Sequence, residues 1–347
     1  MIMRKICTFL LIVALAITVV GCQSSSAPTP APTPPPAEST APSVSDAPAS
    51  PAVPAQKQTI ALCIAQTTNE FQSRIKDAML DYAAATGLDQ RYDFTVFDAN
   101  FDTATQLQQV ENAIAQGVAG IVLIAVDAEG SMATLAAANE AGVPIVGCNT
   151  EVADNTQFTS YVGSDTLESG RIEMRALAEA MGGEGKIVEM HGNYGEDPQI
   201  KRNAGIREVI AEYPNIKVVA EDTAKWSREQ GVELMENWIQ AGIMNDVKAI
   251  VAHNDAMAVG AMIALEDAGM TDVLIAGIDA NQDMLGYLQE GRVAVTVFQN
   301  AVGQGEGAIA KIAKIIEGEP YEQFVWIPYE LVLPEDADKF LIDKFLA

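Results

Sequence analysis

Ten short runs of Val, Ile and Ala, each followed by an amphipathic stretch, constrain this chain more than any other feature. The runs lie at 59–65 (TIALCIA), 93–99, 120–126 (GIVLIAV), 144–149, 160–165, 186–192, 216–222, 249–255 (AIVAHND), 274–280 and 293–300. Helical patterns lie between them, for example over 71–87, 103–117, 166–183 and 228–242, and several stop at Gly, as a helix C-terminus favours. Strands that are apolar on both faces belong in parallel sheets covered by helices on both sides. The repeated β-α order predicts an open α/β architecture. Ten strands are many for one such sheet, so the expectation is two Rossmann-like lobes with parallel sheets. In open parallel sheets a ligand sits beyond the carboxyl ends of the strands.

Those ends are unusually polar. The first strand leads to Asn69, Glu70 and Phe71, the fourth to Asn149 and Thr150, and the run at 216–222 to Lys225 and Trp226. Later tips carry Asn254 and Asp255, Asp279 and Asn281, and Gln299 and Asn300. Helix capping accounts for Asp165, Asp255 and Thr103. It does not account for Trp226 or Gln299, which are poor caps. Amides and carboxylates supply fixed donors and acceptors, and aromatic rings supply flat apolar faces. The combination suits a neutral, hydroxyl-rich ligand, most simply a monosaccharide. Asp279 can accept from two hydroxyls and Arg202 can donate to a ring or hydroxyl oxygen. In the segment IVAHNDAMAVGA (250–261), Asp255 is expected to cap the helix and Asn254 to face the ligand.

The ends of the chain set its address. Arg4 and Lys5 precede an apolar run at 8–20 that is short for a membrane span, and Gly21-Cys22 follows. Residues 1–22 resemble a lipoprotein signal peptide whose lipobox Cys22 carries lipid after cleavage. The rival readings are a signal anchor or an ordinary signal peptide. Residues 23–57, rich in Ala, Pro, Ser and Thr, bury too little apolar surface to fold and are expected to form a disordered tether. The protein is then extracytoplasmic, held at the outer face of the membrane by lipid alone. A formal charge of −26, with no basic stripe, argues against nucleic acid as a partner. Cys63 and Cys148 read as buried apolar residues. With two His in the chain and no close His/Cys spacing, no metal and no cofactor is expected.

Five motifs in order carry a family resemblance: YVGSDTLESG, EDTAKW followed by ENWIQ, VAHNDAMAVGA, AGIDA and AVTVFQN. From Thr59 onward the chain resembles bacterial periplasmic sugar-binding proteins of the ribose/galactose type, the receptors of ABC importers, and stands nearest the galactose/glucose branch. The resemblance implies a type I periplasmic-binding-protein fold, a monomer, and an ABC transporter permease as partner. It implies an N-terminal lobe of 58–162 plus 281–323 and a C-terminal lobe of 163–280 plus 324–347. Three crossings would form the hinge, near Tyr161–Ser164, Asp279–Asn281 and Glu322–Phe324. Residue by residue it implies ligand contacts at Asn69, Asn149, Arg202, Asn254, Asp279 and Gln299, with Phe71 and Trp226 stacking on opposite faces of the sugar. The branch's Asp-His pair before the arginine is replaced by Glu196, Asp197 and Pro198, so Asp197 becomes a shifted candidate, and Gln72 is expected at the cleft rim. Gln299 and Asn149 mix features of the ribose and galactose branches, which leaves the sugar open. The calcium loop of the galactose branch is reduced to MGGEGK, so no calcium is expected.

Catalysis is disfavoured. No Gly-x-Ser-x-Gly elbow is present, GQGEG (303–307) lacks dinucleotide-binding spacing, and amides stand where a glycosidase would need its acid and base. A receptor that signals to a membrane kinase or chemoreceptor, including one for a furanose signal, remains the alternative output.

Overall fold

A computed structural model describes residues 57–341; Cys22, the signal segment and nearly all of the tether lie outside the described residues. The described chain builds two six-stranded sheets. The first contains β1 (Gln58–Ile64), β2 (Tyr92–Asp98), β3 (Gly120–Leu123), β4 (Ile145–Cys148), β5 (Ser160–Gly163) and β11 (Phe324–Trp326), ordered β11-β5-β4-β3-β1-β2. The second contains β6 (Glu184–His191), β7 (Asn215–Thr223), β8 (Val247–Ala252), β9 (Leu274–Asp279), β10 (Val295–Phe298) and β12 (Glu330–Val332), ordered β12-β10-β9-β8-β6-β7. Every pairing is parallel except β10 with β12. In both sheets the order reverses next to the lobe's first strand, which opens a crevice at the carboxyl ends.

Helices cover both faces of each sheet. In the first lobe α1 (Glu70–Ala85) packs on α9 (Ala301–Ile316) over one face, and α2 (Thr103–Ala115) packs on α3 (Met132–Ala141) over the other. In the second, α4 (Thr166–Ala180) packs on α5 (Asp197–Glu212), and α6 (Arg228–Gln240) on α7 (Asp255–Asp267). The short α8 (Gln282–Gln289) and α10 (Ala337–Leu341) close the second lobe's edge. This sandwiching explains why β1, β3, β4, β8 and β9 are almost wholly buried and read as continuous apolar runs. Each sheet face has its own core cluster, such as Ile60, Leu62, Ile75, Met79 and Ile309 under α1 and α9. Cys63 and Cys148 are buried free thiols inside these cores, and burial pushes both up, Cys63 to about 12.

The lobe boundaries differ from those expected. The chain crosses at Ser164–Asp165, between β5 and α4, again at Gln299–Asn300, between β10 and α9, and a third time at 327–329, between β11 and β12. Residues 281–298 therefore belong to the second lobe, because β10 pairs with β9 and not with the first sheet. The third crossing follows β11 because three residues of that strand pair with β5 before the chain leaves. A strand's local pattern is the same whichever sheet receives it, so local sequence does not locate the boundaries expected at 281 and 324. Among the described residues no helix is long and apolar enough to cross a membrane.

Candidate functional site

Between the carboxyl ends of the two sheets lies a cavity lined by Asn69, Phe71, Gln72, Asn149, Thr150, Glu196, Pro198, Arg202, Trp226, Asn254, Asp279 and Gln299. Nine of the ten residues expected from sequence meet there. They come from both lobes: Asn69, Phe71 and Gln72 from the start of α1, and Asn149 from the end of β4. The second lobe brings Arg202 on α5, Trp226 after β7, Asn254 before α7 and Asp279 at the end of β9. Gln299 stands in the second crossing. Asp197 is the exception. As the first residue of α5 it turns away from the cavity and pairs with Lys201 one turn later, at 3.0 Å. Thr150, Glu196 and Pro198 line the cavity without having been assigned a role from sequence. Thr150 directly follows Asn149, and Glu196 is the N-cap position of α5, so their places beside chosen residues were the available signal.

The polar walls are held by their own hydrogen bonds. Asn69 caps α1, its Oδ1 accepting from Gln72 N at 3.0 Å, while Gln72 Oε1 accepts from Gln66 N at 2.9 Å. Gln72 is thus a buried wall residue and not a rim residue. Asn149 donates to Gln304 Oε1 on α9 at 3.1 Å. Arg202 donates through Nη2 to Gln299 Oε1 at 2.8 Å and through Nη1 to the carbonyl of His253, and its guanidinium lies 5.6 Å from the Trp226 ring centroid. Asn254, not Asp255, caps α7: its Oδ1 accepts from Met257 N at 3.0 Å, and the same side chain lines the cavity. Asp255 is buried below, accepting from Asn281 N and Thr296 Oγ1, each at 2.8 Å. Both residue types cap equally well, so the expectation that Asp255 would cap had no local basis over Asn254, and the structure overturns it.

Backbone conformation concentrates here as well. Asn149 (φ 67), Trp226 (φ 62), Asp279 (φ 131) and Ala280 (φ 52) all occupy positive-φ regions that L-residues seldom adopt. Such conformations cost on the order of 1–3 kcal/mol each and cluster at ligand sites. Trp226 also needs Gly192: a Cβ there would lie 1.9 Å from the indole ring. The indole Nε1 donates to Glu196 Oε2. Burial pushes Glu196 up to about 8 against the pull of the Trp226 and Asn193 hydrogen bonds, and burial also pushes Asp279 well above the usual carboxylate range. At neutral pH Glu196 can therefore offer the cavity a donor as well as an acceptor.

Lobe-to-lobe contacts outside the cavity include Arg74 Nη1 donating to Asn281 Oδ1 at 2.9 Å, Lys201 Nζ reaching Glu151, and Ala128 N donating to Gly195 O at 3.3 Å. Behind the cavity, Glu189, His191 and His253 converge, with ligand-capable atoms within 4.8 Å of one another. These are the two His of the chain, brought together from β6 and the end of β8, a juxtaposition that spacing along the sequence did not reveal. Glu189 Oε1 accepts from Asn203 Nδ2 at 3.0 Å and faces His253 Nε2 at 3.0 Å, while Oε2 takes no hydrogen bond and is balanced by the Arg207 guanidinium, whose Nη2 lies 2.8 Å away as an ion pair.

Comparison with known proteins fits this geometry. The sequence profile of the periplasmic binding protein domain matches residues 60–320. The chain belongs to the periplasmic binding protein family. A protein of Rhizobium meliloti described as rhizopine-binding is 36% identical over 82% of this chain and 93% of its own length. The xylitol-binding protein of Mycolicibacterium smegmatis is 34% identical over 72% of this chain and 70% of its own. Among solved structures, an ABC transporter solute binding protein from Bacillus halodurans with bound myo-inositol superposes with a TM-score of 0.78 at 37% identity, over 82% of this chain and 97% of that one. The two facing sheets of this periplasmic binding protein are the type I arrangement of that fold. Its relatives are solute-binding proteins, not enzymes.

Proposed function

We propose that this periplasmic binding protein captures a neutral polyhydroxylated ring, an aldose of the galactose/glucose kind or a related polyol, and delivers it to an ABC importer. One observation carries the reading: an aromatic residue from each lobe, Phe71 and Trp226, lines one cavity whose remaining walls are mainly amides, carboxyls and one guanidinium. The rings would cover the apolar C–H faces of the ligand, while Asn69, Asn149, Arg202, Asn254, Asp279 and Gln299 would meet hydroxyls around its edge. A wrong epimer would leave a buried polar wall atom unpaired, which makes the site selective. That relatives take myo-inositol or xylitol supports a polyol as readily as an aldose. Ligand bridging both lobes would favour the closed form through its differential contacts there, and the permease would recognise that form. Cys22 would carry the lipid that keeps the monomeric receptor at the membrane, with no chemistry performed on the ligand.

The test is a thermal-shift screen over aldoses, pentoses, alditols and inositols, followed by calorimetry on the hits. One-to-one saturable binding of a neutral polyol, lost on truncating Trp226, is the expected result. Turnover of any glycoside, or no binding across the panel, would overturn the proposal.

A further inference from the structure

The face of α5 turned toward β6 carries Gln199, Asn203 and Arg207, spaced four residues apart, a polar stripe where a helix usually presents apolar side chains to a sheet. All three are engaged by side chains of β6. Gln199 Nε2 meets His191 Nδ1 at 3.0 Å, Asn203 Nδ2 donates to Glu189 Oε1 at 3.0 Å, and Arg207 Nη2 lies 2.8 Å from Glu189 Oε2. Glu189 also reaches sideways past the end of β8 to His253, whose Nε2 stands 3.0 Å from its Oε1. The backbone carbonyl of that same His253 accepts from Arg202 Nη1, and Arg202 sits next to Asn203 on α5. One carboxylate, with no solvent exposure, therefore holds the His253 ring and, through Asn203, the turn of α5 that carries Arg202. Burial pushes His253 down to about 4, so at neutral pH the ring is uncharged and can give a single Nε2–H to Glu189.

Apolar helix–sheet contacts tolerate sliding by an ångström at small cost, whereas directional hydrogen bonds to a fixed carboxylate do not. We propose that Glu189 is a positioning residue for ligand binding: it locks the rotation and height of α5 against β6 and β8, so that the Arg202 guanidinium is held at the cavity wall before any ligand arrives. Glu189 does not line the cavity, and its effect reaches the ligand only through Arg202 and the His253 carbonyl. Preorganisation of this kind raises affinity by removing the ordering cost from the binding step.

The proposal rests on the polyol reading above, and its test separates the two. Calorimetry would use myo-inositol, xylitol and D-ribose, taking forward whichever binds the wild type best, on E189Q, R202M and the E189Q/R202M double variant, with melting temperature measured on each. E189Q keeps the size but turns an NH2 toward a set of donors. It is expected to weaken binding about tenfold in the wild-type background and less than twofold when Arg202 is already Met, while lowering the melting temperature similarly in both. Equal losses of affinity in the two backgrounds, or unchanged affinity in folded E189Q, would overturn the role. If E189Q does not fold, N203A removes one tie only and is read the same way, with a smaller loss that must also vanish in the R202M background. Failure of the wild type to bind any of the three probes would count against the polyol reading and not against the coupling.

Discussion

Replacing Lys201 with Met keeps the aliphatic stem of the side chain and removes its charge. In the structure that charge spans the lobes: Nζ reaches the Glu151 carboxylate in the first lobe and lies 3.0 Å from Asp197 on its own helix. The Lys201 side chain is 33% exposed and that of Glu151 only 9%, so the pair sits between a surface and a buried bridge. Two unit charges at about 4 Å attract by roughly 4 kcal/mol at an effective dielectric near 20. Rehydration on opening returns most of that, and about 1–2 kcal/mol is a reasonable net contribution to the closed form. Asp197 stays beside Lys201 whether the lobes are together or apart, so the loss falls on closure. A ligand held only by the closed form has an apparent Kd equal to the intrinsic one divided by the closed fraction. Every ligand should then weaken by one common factor of about 5–30, and the ratio of Kd values between two ligands should not move. Calorimetry of wild type and K201M with two chemically different polyols measures that ratio. In 1 M salt, where screening acts within about 3 Å, the wild type should approach the variant. A changed ratio between ligands, or undiminished affinity for both, would refute the assignment of Lys201 to closure.

Truncating Trp226 to Ala should weaken polyol binding by about 1–3 kcal/mol through lost ring contact, while Trp226→Phe, which keeps a flat face and loses the indole N–H, should recover part of it; calorimetry on the two variants checks the order. Glu196 gives a pH signature. Its folded value of about 8 lies above the ordinary 4.5, so between those pH values the unfolded chain releases a proton that the folded chain keeps, and stability falls as pH rises through the window. Glu196→Gln removes that loss, so its melting temperature relative to wild type should climb from pH 5 to pH 8, with a difference on the order of 3 kcal/mol at the upper end. A flat difference across the window would show that Glu196 is ionised in the fold.

The two-lobe architecture was legible because helices on both faces force the inner strands β1, β3, β4, β8 and β9 to be apolar throughout, while the edge strands β2 and β7, largely exposed, were placed by the regular alternation of strand and helix. The last two, β11 and β12, have three residues each, of which only Val332 is buried, too short for any period to register. The polar tips were legible for the converse reason: Trp226 and Gln299 have no local duty that explains them, and both line the cavity. Asp197 misled because a carboxylate just before a helical arginine looks the same whether it faces a ligand or a lysine one turn on. The Glu189 cluster was invisible because its members stand on two strands and a helix, and only the parallel register of β6 with β8 places Glu189 beside the end of β8, from which His253 follows. Sheet membership of 281–298 was hidden for the same reason. Pairing is a property of the assembled molecule, and local pattern does not encode it.

Gly192 leaves bare backbone under the indole of Trp226, so that wall of the pocket is built without slack. Selection or engineering that reshapes the pocket for a larger or smaller guest therefore meets unequal resistance on its two sides. The tryptophan side would require a strand end to move, and the rearrangement would carry Glu196 with it through the indole N–H. The Phe71 side rests on the first turn of a helix, where a different side chain meets other side chains instead of main chain. New guests should accordingly be accommodated first by changes around Phe71.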